Sequence, residues 1–199
     1  MISTPRWHEL NNAYAARPAL LIGKGPSLQS WLEARSPKPD NAVVIGINHS
    51  AAATPCDYAV TTHGSEPWLE PINTQWVVGL PFSPHTTAPE CWQRPKYCPH
   101  WFLHTCGWHL LDQTRDQIAD LHSLWNHASS AHPGIHLAWY LGCTSLTLIG
   151  IDGGGGYANS VRDLWKPPSP DAAYASMRKS TERACNQLFG SAWSHWGQP

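Results

Sequence analysis

Charge is scarce in this chain. Of its 199 residues only 14% are charged, with 13 Lys and Arg against 14 Asp and Glu, for a formal net charge of −1. So even a balance excludes the positive field that holds proteins on nucleic acid regardless of sequence. No apolar run approaches the length needed to cross a bilayer, and Met1 to Glu9 lack the apolar core of a secretory signal. A soluble, cytoplasmic protein is the expectation. Six cysteines are present, without the density or regular spacing of a small disulfide framework, which fits a reducing compartment. Internal repeats are absent, and the length suits one domain spanning residues 1–199.

Trp, His and Pro are abundant instead, at 12, 12 and 18 residues. Tryptophan offers a broad apolar face with one donor, which suits stacking on sugars or bases and equally suits a core or an interface between copies of the chain. That composition leaves room for a homo-oligomer.

Ala19-Leu20-Leu21-Ile22 is a short apolar run that stops at Gly23, the pattern of a buried parallel strand meeting a turn. Ser27 is placed to cap a helix through Leu28, Leu32 and Ala34, and Pro37 and Pro39 end it. Ala42 to Ile47 then reads as a second buried strand, which completes a β-α-β unit. Further strands are expected at Tyr58 to Thr62, Gln75 to Leu80 and Leu146 to Asp152. Helices are expected at Trp108 to His127, His132 to Gly142 and Asp171 to Leu188. Residues 81–99 hold five prolines and no period, and read as a flap. Strands alternating with helices predict a three-layer, Rossmann-like α/β sandwich around a mostly parallel sheet.

In such sheets ligands bind beyond the carboxyl ends of the strands. Gly23-Lys24-Gly25-Pro26-Ser27 falls there, between a strand and a helix. Glycines let backbone approach a phosphate or ribose, and a helix amino end offers N–H groups and a positive dipole end. The pentapeptide is neither the Walker pattern nor the dinucleotide fingerprint, and it serves equally as a plain tight turn. Asn48 follows the second strand; Gly150, Asp152 and Gly153 follow the later one. Asp152 suits a pair of ribose hydroxyls, and also suits capping of the glycine turn. Ser130 and His132 stand at the expected amino end of a helix beside the same edge, with His136 one turn further on.

Taken in order, Gly23-Lys24-Gly25-Pro26-Ser27-Leu28, Ile45-Gly46-Ile47-Asn48, Leu141-Gly142-Cys143 and Leu148-Ile149-Gly150-Ile151-Asp152 resemble one superfamily. It contains the bacterial CMP-sialic-acid sialyltransferases of the glycosyltransferase 42 family and the 6-hydroxymethylpterin diphosphokinase-like proteins, phage members included. The resemblance covers roughly residues 18 to 160. It implies that Gly23, Gly25, Ser27 and Asn48 hold a nucleotide, that Asp152 meets its ribose, and that Tyr157 steadies the departing phosphate. Lys24 stands where the family turn usually has asparagine and would meet phosphate as a point charge. His63 falls near a family asparagine and would touch the donor or take a proton; an ordinary surface histidine reads the same way.

The sialyltransferases carry a companion tyrosine, here glycine, and a general-base histidine on a lid. No histidine lies between Tyr157 and Leu188, and His195 is the only later one. The resemblance therefore implies a nucleotide-dependent transferase, foremost a glycosyltransferase using a CMP- or UDP-type sugar donor. Its alternatives are an ATP- and Mg²⁺-dependent diphosphokinase and a non-catalytic protein that sequesters a nucleotide. The acceptor is left open and no tightly bound cofactor is expected.

Cys91, Cys98, His100, His104, Cys106 and His109 form a separate cluster. His100 and His104 would share a helix face, yet the spacing matches no common zinc pattern and Pro99 interrupts it. No metal site is assigned.

Overall fold

A computed structural model describes residues 7–35, 38–61, 75–80, 101–106, 111–121, 123–126, 129–154, 156–158 and 171–197. The expected flap, His63 and most of the Cys/His cluster lie outside these.

Eight strands form one sheet: β1 (Pro18–Ile22), β2 (Val43–Ile47), β3 (Tyr58–Thr61), β4 (Gln75–Leu80), β5 (Trp101–Cys106), β6 (Ser123–Trp125), β7 (Ser145–Ile149) and β8 (Trp193–His195). Their order is β6-β5-β4-β3-β2-β1-β7-β8, and every neighbouring pair is parallel. The helices are α1 (Pro26–Glu33), α2 (Ser50–Ala53), α3 (Arg115–Leu121), α4 (Ala131–Tyr140) and α5 (Asp171–Phe189), preceded by a 3-10 turn at Trp7–Leu10. The expected α/β sandwich with a parallel sheet is the fold observed.

Period-two alternation assigns each strand residue to a layer. Ala19, Leu21, Val43, Ile45, Leu146 and Leu148 join the core that holds Ile135 and Ala138 of α4 with Ala184 and Cys185 of α5. Leu20, Ile22, Val44 and Ile149 face the other way, onto Leu28 and Trp31 of α1 and Ala51 of α2. Both faces of the sheet are therefore covered, which is why these strands read as continuous apolar runs. Trp7 stacks on Tyr140 with ring centroids 4.5 Å apart, and the Tyr140 hydroxyl donates to the Trp7 carbonyl at 3.0 Å. Trp7, Trp31, Trp125, Trp139, Trp193 and Trp196 pack in or against the cores, and none of them lines the cavity described below.

Three expectations need correction. The helix foreseen over Trp108 to His127 is the short α3 followed by β6, because the apolar positions Leu124 and Trp125 continue into a strand instead of a further helical turn. Residues 101–106 are a strand, so His104 is not on a helix face with His100. Ser27 is not the N-cap residue of α1: Gly25 holds that position and has no side chain with which to cap the helix.

Gly46 shows what one of the sequence motifs is for. A Cβ there would lie 2.9 Å from Ala51 Cα and 2.9 Å from Cys56 Sγ, so this glycine lets α2 settle on β2. Gly46→Ala should lower stability by about 1–3 kcal/mol, read from the denaturant midpoint.

His136 is fully buried, and its Nδ1 accepts from the Trp125 N–H at 2.8 Å, which joins α4 to β6 and places the ring proton on Nε2. Burial drives its pKa from the ordinary 6.5 down to about 3. As pH falls below 6.5 the unfolded chain takes up a proton that the folded chain refuses until about 3, so stability declines across that window. Thermal melts from pH 7 to 4 should show this fall, and His136→Gln, which keeps an acceptor for Trp125 but does not titrate, should show a smaller one.

Candidate functional site

Strand order reverses between β1 and β7, since β2 to β6 run outward on one side of β1 while β7 and β8 lie on the other. The loops leaving β1 and β7 must part in opposite directions there, which opens a crevice at the carboxyl edge. A cavity of about 340 Å³ occupies it, within the range of small-ligand sites. Its walls come from the turn after β1, Asn48 after β2, the amino end of α4, the glycine-rich loop after β7, and one face of α5.

The first wall is built by reciprocal backbone contacts. Gly23 N donates to the Ile149 carbonyl at 2.7 Å, and Gly25 N donates to the Gly150 carbonyl at 2.7 Å. In return Gly150 N donates to Ser27 Oγ at 2.7 Å. Asp152 Oδ2 accepts from Ser27 N at 3.0 Å, in the first turn of α1. A side chain at Gly23 would overlap the Gly150 carbonyl oxygen, and one at Gly25 would overlap Asp152 Oδ2. These two glycines are required by the neighbouring loop of the same chain. Pro26 has no N–H, and Leu28 N bonds the Gly25 carbonyl at 3.0 Å. The amino end of α1 thus carries its own carboxylate at the place where a ligand phosphate was expected.

Lys24 lies between the glycines on the cavity wall, with Nζ 4.6 Å from the centroid of the Tyr157 ring. Burial lowers its pKa to about 8. Its carbonyl accepts from Ala158 N at 2.8 Å, which ties the turn after β1 to the loop carrying Tyr157.

Asn48 takes a left-handed φ of 54° and is only 6% exposed. Its N–H donates to the Val60 carbonyl at 2.9 Å, and Nδ2 donates to Ser130 Oγ at 3.4 Å. The amide oxygen Oδ1 is buried without a hydrogen-bond partner, on a residue that lines the cavity. An unsatisfied buried acceptor is costly, and a ligand donor would relieve it.

Tyr157 also lines the cavity, and its hydroxyl is 3.0 Å from that of Tyr174 on α5. Tyr174 lines the same cavity. Met177, Arg178 and Thr181 join it from the same helix face. Their spacing of three, four and seven residues from Tyr174 is a helical stripe, the one signal in the sequence that could have marked them.

Of the residues expected at the site, Gly23, Lys24, Gly25, Asn48, Ser130, Gly150, Asp152, Gly153 and Tyr157 meet around this cavity. Pro26 and Ser27 stand behind its wall. His132 is fully buried, 2.9 Å from Ser180 Oγ and with its ring 4.2 Å from that of Trp125, so it joins α4 to α5 and is not on the wall. His195 is likewise off the wall, on β8, its side chain 8% exposed and 3.9 Å from Glu182. Its pKa is lowered by burial first and by Arg178 next, against the opposing pull of Glu182 and Asp152. Among the described residues no group of His, Cys, Asp and Glu is arranged to hold a metal. Cys56, Cys143 and Cys185 are buried with thiols pushed up to about 12, 11 and 12, and contribute to packing.

No protein-family model matches this chain, and none of the curated proteins matches it either.

Asp152 therefore serves both as a cap of α1 and as part of the cavity wall. Asp152→Ala should cost roughly 0.5–2 kcal/mol of stability, as loss of a helix cap does, with Asp152→Asn retaining most of it because the amide oxygen still accepts. Denaturant titration of the two variants measures the difference.

Proposed function

We propose that the switch-point cleft binds a nucleotide or nucleotide-activated donor and that the protein is a nucleotide-dependent transferase, foremost a glycosyltransferase. The observation that carries this reading is the buried, unpartnered amide oxygen of Asn48, a residue that lines the cavity at the topological switch point. An acceptor held so rigidly discriminates for a ligand donor, such as a ribose hydroxyl or an exocyclic amine. The motif resemblance supports the same position for a nucleotide.

Group transfer needs charge stabilised on the leaving phosphate. Lys24 and Arg178 supply positive charge, and the Tyr157 and Tyr174 hydroxyls supply neutral donors to the same cavity. The position of Asp152 suits a vicinal diol, with one carboxylate oxygen already fixed by Ser27. Burial brings the pKa of Lys24 down to about 8, and no histidine is among the described residues of the wall.

The diphosphokinase alternative would hold magnesium with ATP through one or two carboxylates, and Asp152 is the one carboxylate on the described wall, its Oδ2 already accepting from Ser27 N. Calorimetry with CMP, UDP and ATP, each with and without Mg²⁺, tests the reading. Metal-independent binding of CMP or UDP is the expected outcome, with Asn48→Ala weakening it by about 1–3 kcal/mol. Binding of ATP alone, and only with Mg²⁺, would move the assignment to phosphoryl transfer. Nucleotide bound but recovered unchanged from its sugar-activated form, whatever acceptor is offered, would leave a sequestering protein.

A further inference from the structure

The turn after β1 is the obvious phosphate cradle by sequence, yet its N–H groups at Gly23, Gly25 and Ser27 are already bonded within the chain. The Asp152 carboxylate at the first turn of α1 also repels a second anion there. Donors with no partner among the described residues lie in the loop after β7. Gly153, Gly154 and Gly156 have φ of 76°, 144° and 89°, and no acceptor among the described residues takes their N–H groups. All three line the cavity.

Arg178 of α5 lies directly beneath this loop. A Cβ on Gly153 would come within 2.8 Å of its Cδ, so the glycine is needed for the arginine stem as well as for its own φ. Nε of Arg178 donates to Glu182 Oε1 at 2.7 Å, and Nη1 is 3.5 Å from the Asp152 carbonyl oxygen. Among the described residues no other acceptor meets the guanidinium. Glu182 therefore fixes the fork at Nε and the Asp152 carbonyl meets Nη1 at 3.5 Å, which leaves the remaining Nη N–H groups available to a planar or tetrahedral oxyanion.

We infer that the ligand's phosphate sits on the α5 side of the cleft, held by the Nη edge of Arg178 and the N–H groups of Gly153, Gly154 and Gly156, while the turn after β1 shapes a separate part of the wall. This rests on the nucleotide reading of the cleft, and it deepens that reading by assigning the phosphate to residues outside the glycine turn. The buried, unpartnered Asn48 oxygen is an independent sign that the same cavity takes a ligand. Successive backbone N–H groups in left-handed conformations form a concavity suited to anions, and the guanidinium adds a directional charge. Arg178 is a binding residue here and Glu182 a positioning residue.

Calorimetry on the full chain tests this with paired probes: cytidine and CMP, uridine and UMP, adenosine and AMP, and inorganic pyrophosphate. Arg178→Gln should weaken the preferred monophosphate about tenfold or more while leaving its nucleoside unchanged. Arg178→Lys should recover only part of the loss, since an ammonium cannot reproduce the fork, and it carries the test if Arg178→Gln melts early. Lys179→Gln, which removes the same charge from an exposed residue off the wall, should change neither. Undiminished monophosphate binding by Arg178→Gln, or an equal loss for nucleoside and monophosphate, would overturn the assignment. So would a wild-type chain that binds no phosphate-bearing probe. Pyrophosphate bound in an Arg178-dependent way by a chain that ignores every nucleoside and nucleotide would instead keep the anion seat and remove the nucleotide.

Discussion

Two turns, one leaving β1 and one leaving β7, are locked together by four hydrogen bonds at the switch point. Gly23 N and Gly25 N donate across to Ile149 and Gly150, while Gly150 N and Asp152 Oδ2 return bonds to Ser27. Everything at the carboxyl edge depends on that clamp. It sets the spacing between α1 and the loop after β7, and it requires glycine at 23, 25 and 150, where any side chain would run into backbone or into Asp152. Because β1 and β7 are also paired along the whole of β1, from Pro18 opposite Ser145 to Ile22 opposite Ile149, the clamp continues the sheet beyond the last strand residues. Preorganisation of this kind keeps a cavity open without a ligand to support it.

Such internal satisfaction changes what the glycine motif means. A phosphate-binding loop works by presenting N–H groups that have no partner of their own. Here the glycine turn meets the steric requirement for such a loop, but its N–H groups at Gly23, Gly25 and Ser27 already have acceptors within the chain. The loop after β7 has the opposite character: its glycines are left-handed, its N–H groups are unclaimed among the described residues, and it crosses an arginine held in place by Glu182. Two glycine-rich segments that look alike as sequence are thus distinguished by where their hydrogen bonds go.

Much of the fold was legible because buried parallel strands are apolar on both faces. β1, β2, β3, β4 and β7 were each foreseen within a few residues, as were α1, α4 and α5, since their strands end at glycine or a turn and their helices repeat at the right period. β6 and β8 have three residues each, too few for alternation to show. β5, Trp-Phe-Leu-His-Thr-Cys, alternates poorly, and its His and Cys suggested ligands more than a strand. The site was legible where it sits on strand ends: Asn48 and Asp152 could be placed from the runs preceding them. Tyr174 and Arg178 could not, because what makes them part of the site is the packing of α5 against a loop seventeen or more residues earlier in the chain. His132 failed for the converse reason. Its place at the amino end of α4 suggested access, but the side chain turns inward to Ser180 and Trp125.

Dependence on α5 bears on how the cleft recognises charge. Positive charge on the described wall comes from Lys24 and Arg178, and each is tempered. Burial weakens the hold of Lys24 on its proton, and Glu182 sits 2.7 Å from Arg178. With Asp152 on the same wall, the cavity carries little net charge, so a bare anion gains little from the field as a whole and must gain from directed hydrogen bonds. Selectivity then falls to shape: the Asn48 acceptor, the paired tyrosine hydroxyls and the guanidinium edge have to be met together by one molecule. A ligand with a hydrogen-bond donor at one end and an oxyanion at the other meets that demand, and a simple salt anion does not.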